Sequence, residues 1–102
     1  MLLAHIDLNT EDSDIQVYVV PSGKKATATI RVVNRTNDNV KVRLAISDTN
    51  TLDDSFYITY NQTIYPGDTY TEAVVVLDEG QFIFAQTDTV GVNVVVWGFE
   101  QA

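Results

Sequence analysis

Residues 26–34 read Ala26-Thr27-Ala28-Thr29-Ile30-Arg31-Val32-Val33-Asn34, and this stretch decides the fold class. Ala26, Ala28, Ile30 and Val32 fall on one side of an extended chain, and Thr27, Thr29 and Arg31 on the other. An apolar period of two marks a strand with one face on a core and the other toward water. The same pattern returns in Val40–Ile46, with Val40, Val42, Leu44 and Ile46 inward and Lys41 and Arg43 outward. Thr36–Asn39 separates the two as a turn rich in Asn and Asp. Paired as a hairpin, the two strands would gather Arg31, Lys41 and Arg43 into one basic stripe. A crossover between sheets, as in immunoglobulin topology, would split it.

On either side of this pair the pattern repeats. Leu2–Leu8 reads as a first strand or, together with the acidic loop Asn9–Asp14, as an N-terminal arm covering residues 1–14. Ile15–Val20 is a strand closed by Pro21-Ser22-Gly23. Ser47–Ser55 is polar and reads as a loop, followed by short strands at Phe56–Tyr60 and Thr63–Tyr65 around Asn61-Gln62. Tyr70–Leu77, Gln81–Gln86 and Gly91–Phe99 complete the set, with turns at Pro66-Gly67-Asp68 and Asp78-Glu79-Gly80. No segment carries a helical apolar period over three turns. Seven or eight short strands in 102 residues predict one all-β domain over 1–102, an antiparallel two-sheet β-sandwich, immunoglobulin-like or jelly-roll-like.

Composition narrows the partners. With 45% apolar and 20% charged residues the chain is globular rather than disordered. There is no cysteine, so packing must hold the fold without disulfides or thiolate metal sites. Met1 precedes only the short apolar run Leu2–Ala4, so neither a secretory leader nor a membrane span is read, and synthesis in a cytoplasm is expected. A net charge of −8 argues against nucleic acid as a partner. All six basic residues lie between Lys24 and Arg43, a segment with Asp38 as its one acid. Arg31, Lys41 and Arg43 are therefore the candidates for an electrostatic steering face.

Two strands break the alternation. Ala73–Leu77 is apolar on both sides. In the last strand Val92, Val94 and Val96 share one face while Val95, Trp97 and Phe99 share the other. A sandwich sheet shows one face to water, so apolarity on both sides needs a second cover. The N-terminal arm, a loop or another subunit could supply it. Val74, Val76, Val95, Trp97 and Phe99 are accordingly the candidate subunit interface.

Catalytic residues do not assemble. The lone His5 sits in an apolar run, and no nucleophile–base set can be built without it. The carboxylate pairs Glu11-Asp12, Asp53-Asp54 and Asp78-Glu79 fall in turns. Oxygen-rich loops at Asn9–Asp14 and Asp48–Asp54 lack the glycine and closing glutamate of a calcium-binding EF-hand. No cofactor cradle is present in the sequence, and no enzyme is expected. The Asn34-Arg35-Thr36 and Asn61-Gln62-Thr63 triplets match the glycosylation acceptor, a pattern common by chance. Tyr57, Tyr60, Tyr65 and Tyr70 lie close in sequence and admit a second reading, a glycan-binding surface.

The runs Val20–Thr27, Ile30–Thr36 and Val40–Ile46, then Ile64–Asp68, Val76–Gln81 and Val94–Glu100, form an ordered series of turns and strands. Over roughly positions 15 to 100 this series resembles short virion structural proteins of tailed bacteriophages, notably phages of marine and freshwater bacteria. The resemblance implies a β-sandwich that decorates or cements a capsid, or serves a tail or fibre. It brings no catalytic residues. The expected setting is the virion, with the major capsid protein or tail components as partners and a homo-oligomer, such as a trimer, as the assembly. The alternative is a tail or fibre module that binds host-surface glycans.

Overall fold

The computed structural model describes residues 1–52 and 56–102. Eight strands form: β1 (Leu2–Leu8), β2 (Ile15–Val19), β3 (Lys25–Asn34), β4 (Val40–Ser47), β5 (Tyr57–Ile64), β6 (Thr69–Leu77), β7 (Phe82–Thr87) and β8 (Val92–Gln101). They make two antiparallel four-stranded sheets, in the orders β1-β8-β3-β6 and β2-β7-β4-β5.

The order has a simple logic. β4 and β5 pair directly, and then β3 with β6, β2 with β7 and β1 with β8. The chain is thus one long hairpin folded over itself, stepping between sheets at every connection except β4 to β5. This nested pairing is the jelly-roll arrangement, not the immunoglobulin one. Leu2–Leu8 is a full edge strand beside β8 rather than an arm. Phe56–Tyr65 holds one continuous strand, Tyr57–Ile64, in place of the two short ones expected from sequence. Asn61 takes a φ of 55° inside it and lets the strand carry an extra residue opposite Arg43, a bulge where a turn had been expected.

Alternation builds the core as the sequence implied. Ala26, Ala28, Ile30 and Val32 of β3 face Val40, Val42 and Leu44 of β4 across the sandwich, with Ile83, Val92, Val94 and Val96 filling the space between. Each of the large aliphatic groups contributes about 1.5–3 kcal/mol by leaving water. Ile46 is only half-buried, at the margin of this cluster.

Two glycines are required by geometry. Gly67, at φ 77°, follows Pro66 in a turn closed by the Asp68 N–H on the Tyr65 carbonyl at 3.0 Å, which needs a left-handed residue there. Gly98, in β8, is set by a close approach: a Cβ there would lie 1.9 Å from the Thr27 carbonyl oxygen.

Candidate functional site

Pairing in the first sheet puts the apolar surplus on one outer face. Val76, Thr27 and Phe99 make one row across β6, β3 and β8, and Thr29, Trp97 and Leu2 make the next across β3, β8 and β1. Thr71, Arg31, Val95 and His5 form the third row. Val74 stands in the irregularity between the Ala28 and Ile30 pairings, opposite Thr29. Val74, Val76 and Phe99 are 62%, 70% and 58% exposed, so no described segment of the chain covers them. Trp97 and Val95 are half-buried among these neighbours. The five candidate interface residues are thus brought together, joined by Leu2 and by exposed Met1, whose carbonyl accepts the Gly98 N–H at 2.8 Å. Leu2 was missed from sequence, because only the β1–β8 register reveals that it lies beside Trp97.

The charge on this face departs from that of the molecule. Three carboxylates lie in strands, all in the first sheet: Asp7, Glu72 and Glu100. Asp7 is paired with Arg35 at 2.6 Å. Glu72 accepts the Tyr70 hydroxyl at 2.7 Å, and Glu100 accepts the Tyr18 hydroxyl. Arg31 stands with its guanidinium 5.0 Å from the Trp97 ring centroid and has no ion pair among the described residues. An apolar patch with a cation at its margin therefore sits on a protein of net charge −8.

The steering face expected from Arg31, Lys41 and Arg43 does not form as one surface. β3 and β4 belong to different sheets, so Arg31 lies on one outer face and Lys41 and Arg43 on the opposite one. The crossover that creates the sandwich is the physical cause. The four tyrosines are divided in the same way. Tyr57 and Tyr60 flank Arg43 on the outer face of the second sheet, with ring centroids 5.1 Å apart. Tyr70 turns inward to meet Thr59 at 3.3 Å, and Tyr65 lies in the turn before β6.

The remaining candidates have structural partners. Glu79 accepts the Gly23 N–H at 2.6 Å, Asp78 pairs with Lys25 at 3.7 Å, and Asp48 accepts Gln81 Nε2 at 2.7 Å. His5 is exposed on β1 at the edge of a shallow groove. Asp53, Asp54 and Ser55 lie outside the described residues, and with them part of the Asp48–Asp54 loop. Among the described residues no three His, Asp or Glu side chains converge to hold a metal ion. Asn34 is fully buried, so the first glycosylation triplet is closed to modification in the folded protein.

Comparison with protein-family models, with curated proteins and with solved structures finds no match to this chain.

Proposed function

We propose that this protein is a non-enzymatic structural component of a bacteriophage virion, of the capsid decoration or cement type, attached through the outer face of its first sheet. The observation that carries the reading is the gathering of Val74, Val76, Val95, Trp97 and Phe99 on that face, with Arg31 beside Trp97 and Val95. Burying it would yield roughly 25 cal/mol per Å² of apolar surface before the costs of ordering. Its partner is a virion protein presenting an apolar surface with carboxylates, because the face carries a free cation and its one outward strand acid is already paired. Such small contacts act in many copies on a particle, where avidity multiplies them. A homo-oligomer such as a trimer would multiply them further.

The test is rebinding of labelled protein to particles stripped of it, read by co-sedimentation, with cryo-EM to locate the chain. Saturable binding that falls about tenfold or more in Trp97→Ala and Val76→Ser is expected, since central aromatic anchors dominate interfaces. Unchanged binding by both variants, with both folded, would overturn the assignment of this face.

A further inference from the structure

The edge strands of the sandwich are not alike. β2 is five residues long, and its register shifts between Gln16 and Tyr18. β5 shifts twice, and β6 shifts in mid-strand, between the residues opposite Ala28 and Ile30. Shortness and bulges are devices that blunt a sheet edge against another chain. β1 has its shift at the start, between Leu2 and Ala4, and then runs regularly from Ala4 to Leu8 opposite Val96 to Val92. It carries neither Lys nor Pro, and β8 is its one partner strand among the described residues. The far edge of Ala4–Leu8 therefore presents a row of unpaired backbone groups that another extended strand can take up.

The side chains along that row say which strand fits. Ala4, Ile6 and Leu8 fall on the inner side of the sheet, and His5 and Asp7 on the outer side. Leu8 is buried, whereas Ala4 and Ile6 pack against the core with only partial cover. Ile15 and Val17 of β2, the neighbouring edge of the other sheet, are partly covered too. A further strand beside β1 would extend the cover over this seam. On the outer side, Asp7 Oδ1 accepts an N–H of Arg35 Nη2 at 2.6 Å, and Oδ2 has no hydrogen bond among the described residues. The ion pair with Arg35 offsets the Asp7 charge, so a strongly acidic chain can bring this edge to a second copy without carboxylate repulsion.

An antiparallel pair of identical strands is two-fold symmetric, and its register is set by the residue that meets itself. Centred on Ile6, the pair places His5 opposite Asp7 of the second copy, and Asp7 opposite His5 of the second copy. On the inner side Ile6 then meets Ile6, and Ala4 meets Leu8, apolar throughout. An imidazole has an N–H to donate whether neutral or charged, so each His5 can reach the carboxylate oxygen that Arg35 leaves. Centred on His5, the imidazoles would face each other and Asp7 would fall opposite Leu3. Centred on Asp7, the carboxylates would face each other. Charge complementarity selects the Ile6 register.

We propose that two copies of this chain pair β1 to β1 in that register, joining their first sheets into one of eight strands. The two-fold axis is perpendicular to the joined sheet, so both outer faces, with Trp97 and Phe99, point the same way. The pair forms whatever those faces bind. Five residue pairs bury less than the roughly 800 Å² per partner of a standard interface, so dissociation at about 100 µM is expected.

Sedimentation equilibrium of the full chain from about 10 µM to about 1 mM, at physiological salt, reads the assembly. A monomer–dimer equilibrium is the expected result. A monomer throughout, or a trimer, would overturn the pairing. His5→Glu sets a carboxylate opposite Asp7 twice per dimer and should weaken it about tenfold, while His5→Lys keeps a donor there and should weaken it by no more than about threefold. Equal effects of the two would overturn the His5–Asp7 contact. His5 is exposed, and an amide spectrum of each variant reports that it is folded.

Crosslinking reads the register, since the chain has no cysteine. Ile6→Cys brings two thiols together at a Cα separation of about 5 Å and should give a disulfide-linked dimer under mild oxidation. His5→Cys leaves them about 8 Å apart, offset by two residues along the strands, and should not. Linkage through His5→Cys, or none through Ile6→Cys, would overturn the register.

Discussion

The side-chain amide of Asn34, at the end of β3, donates to the carbonyl oxygen of Ile64, at the end of β5, across 3.0 Å. The two strands belong to different sheets, so this bond fastens one end of the sandwich. The same amide donates to the Asp38 carbonyl at 2.8 Å, and Asn34 Oδ1 accepts the Thr36 N–H at 2.8 Å and the Thr36 hydroxyl at 2.7 Å. One buried side chain thus organises the β3–β4 crossover.

Asn34→Ala is therefore expected to cost about 1–3 kcal/mol, because it strands the buried Ile64 carbonyl and removes three further hydrogen bonds of the crossover. Urea unfolding checks this. The midpoint should fall while the slope with denaturant is unchanged, as for a loss of native-state stability alone.

Gly98→Ala should be far more damaging than its one methyl suggests. The added Cβ would meet the Thr27 carbonyl at 1.9 Å, and φ is already 148°. β3 would have to move away from β8, at a cost of more than about 3 kcal/mol. Gly80→Ala is the control: it has a positive φ of 77° but open space around it. It should cost only about 1 kcal/mol. Thermal midpoints of the two variants make the comparison.

Tyr18 predicts an alkaline limit to stability. Burial pushes its phenol well above the ordinary value, and the hydrogen bond to Glu100 and the charge of Glu100 push the same way. The folded protein then keeps a proton that the unfolded chain gives up near pH 10. The contribution is complete below about pH 10 and is lost as pH rises further, toward the folded value. Tyr18→Phe should cost about 1–3 kcal/mol at pH 8 and show a shallower decline above pH 10 than the parent. Denaturant midpoints across that range decide it.

The two faces of β8 should respond differently. Val94 is fully buried, and Val94→Ala is expected to cost about 2 kcal/mol, as a core truncation that leaves a cavity. Phe99 points outward, and Phe99→Ser should change stability by no more than about 0.5 kcal/mol. A large loss in Phe99→Ser would mean that the outer face is part of the fold rather than free for docking.

Much of the fold was legible in the residues. Alternation in β3 and β4 located the core positions, because a strand side chain has only two directions to take. Prolines and glycines located the turns, because few other residues accept those dihedrals. β5 was misread because Asn61-Gln62 has turn chemistry, whereas pairing with β4 on one side overrode it and absorbed Asn61 as a bulge. The candidate docking face was half legible. The surplus of Val74, Val76, Trp97 and Phe99 was visible, but its gathering on one sheet depends on β6 and β8 flanking β3 from opposite sides.

Local residue chemistry alone thus settled that the chain is all-β, where most of its strands lie and which side of β3 and β4 is apolar, since period and turn propensity act over a few neighbouring residues. Strand partnership was decided only in three dimensions, because it depends on contacts between segments far apart in sequence. That partnership separated Arg31 from Lys41 and Arg43, and it set Leu2 beside Trp97. It also placed Gln86 next to Arg43, a neighbour 43 positions away along the chain that no local pattern could have announced.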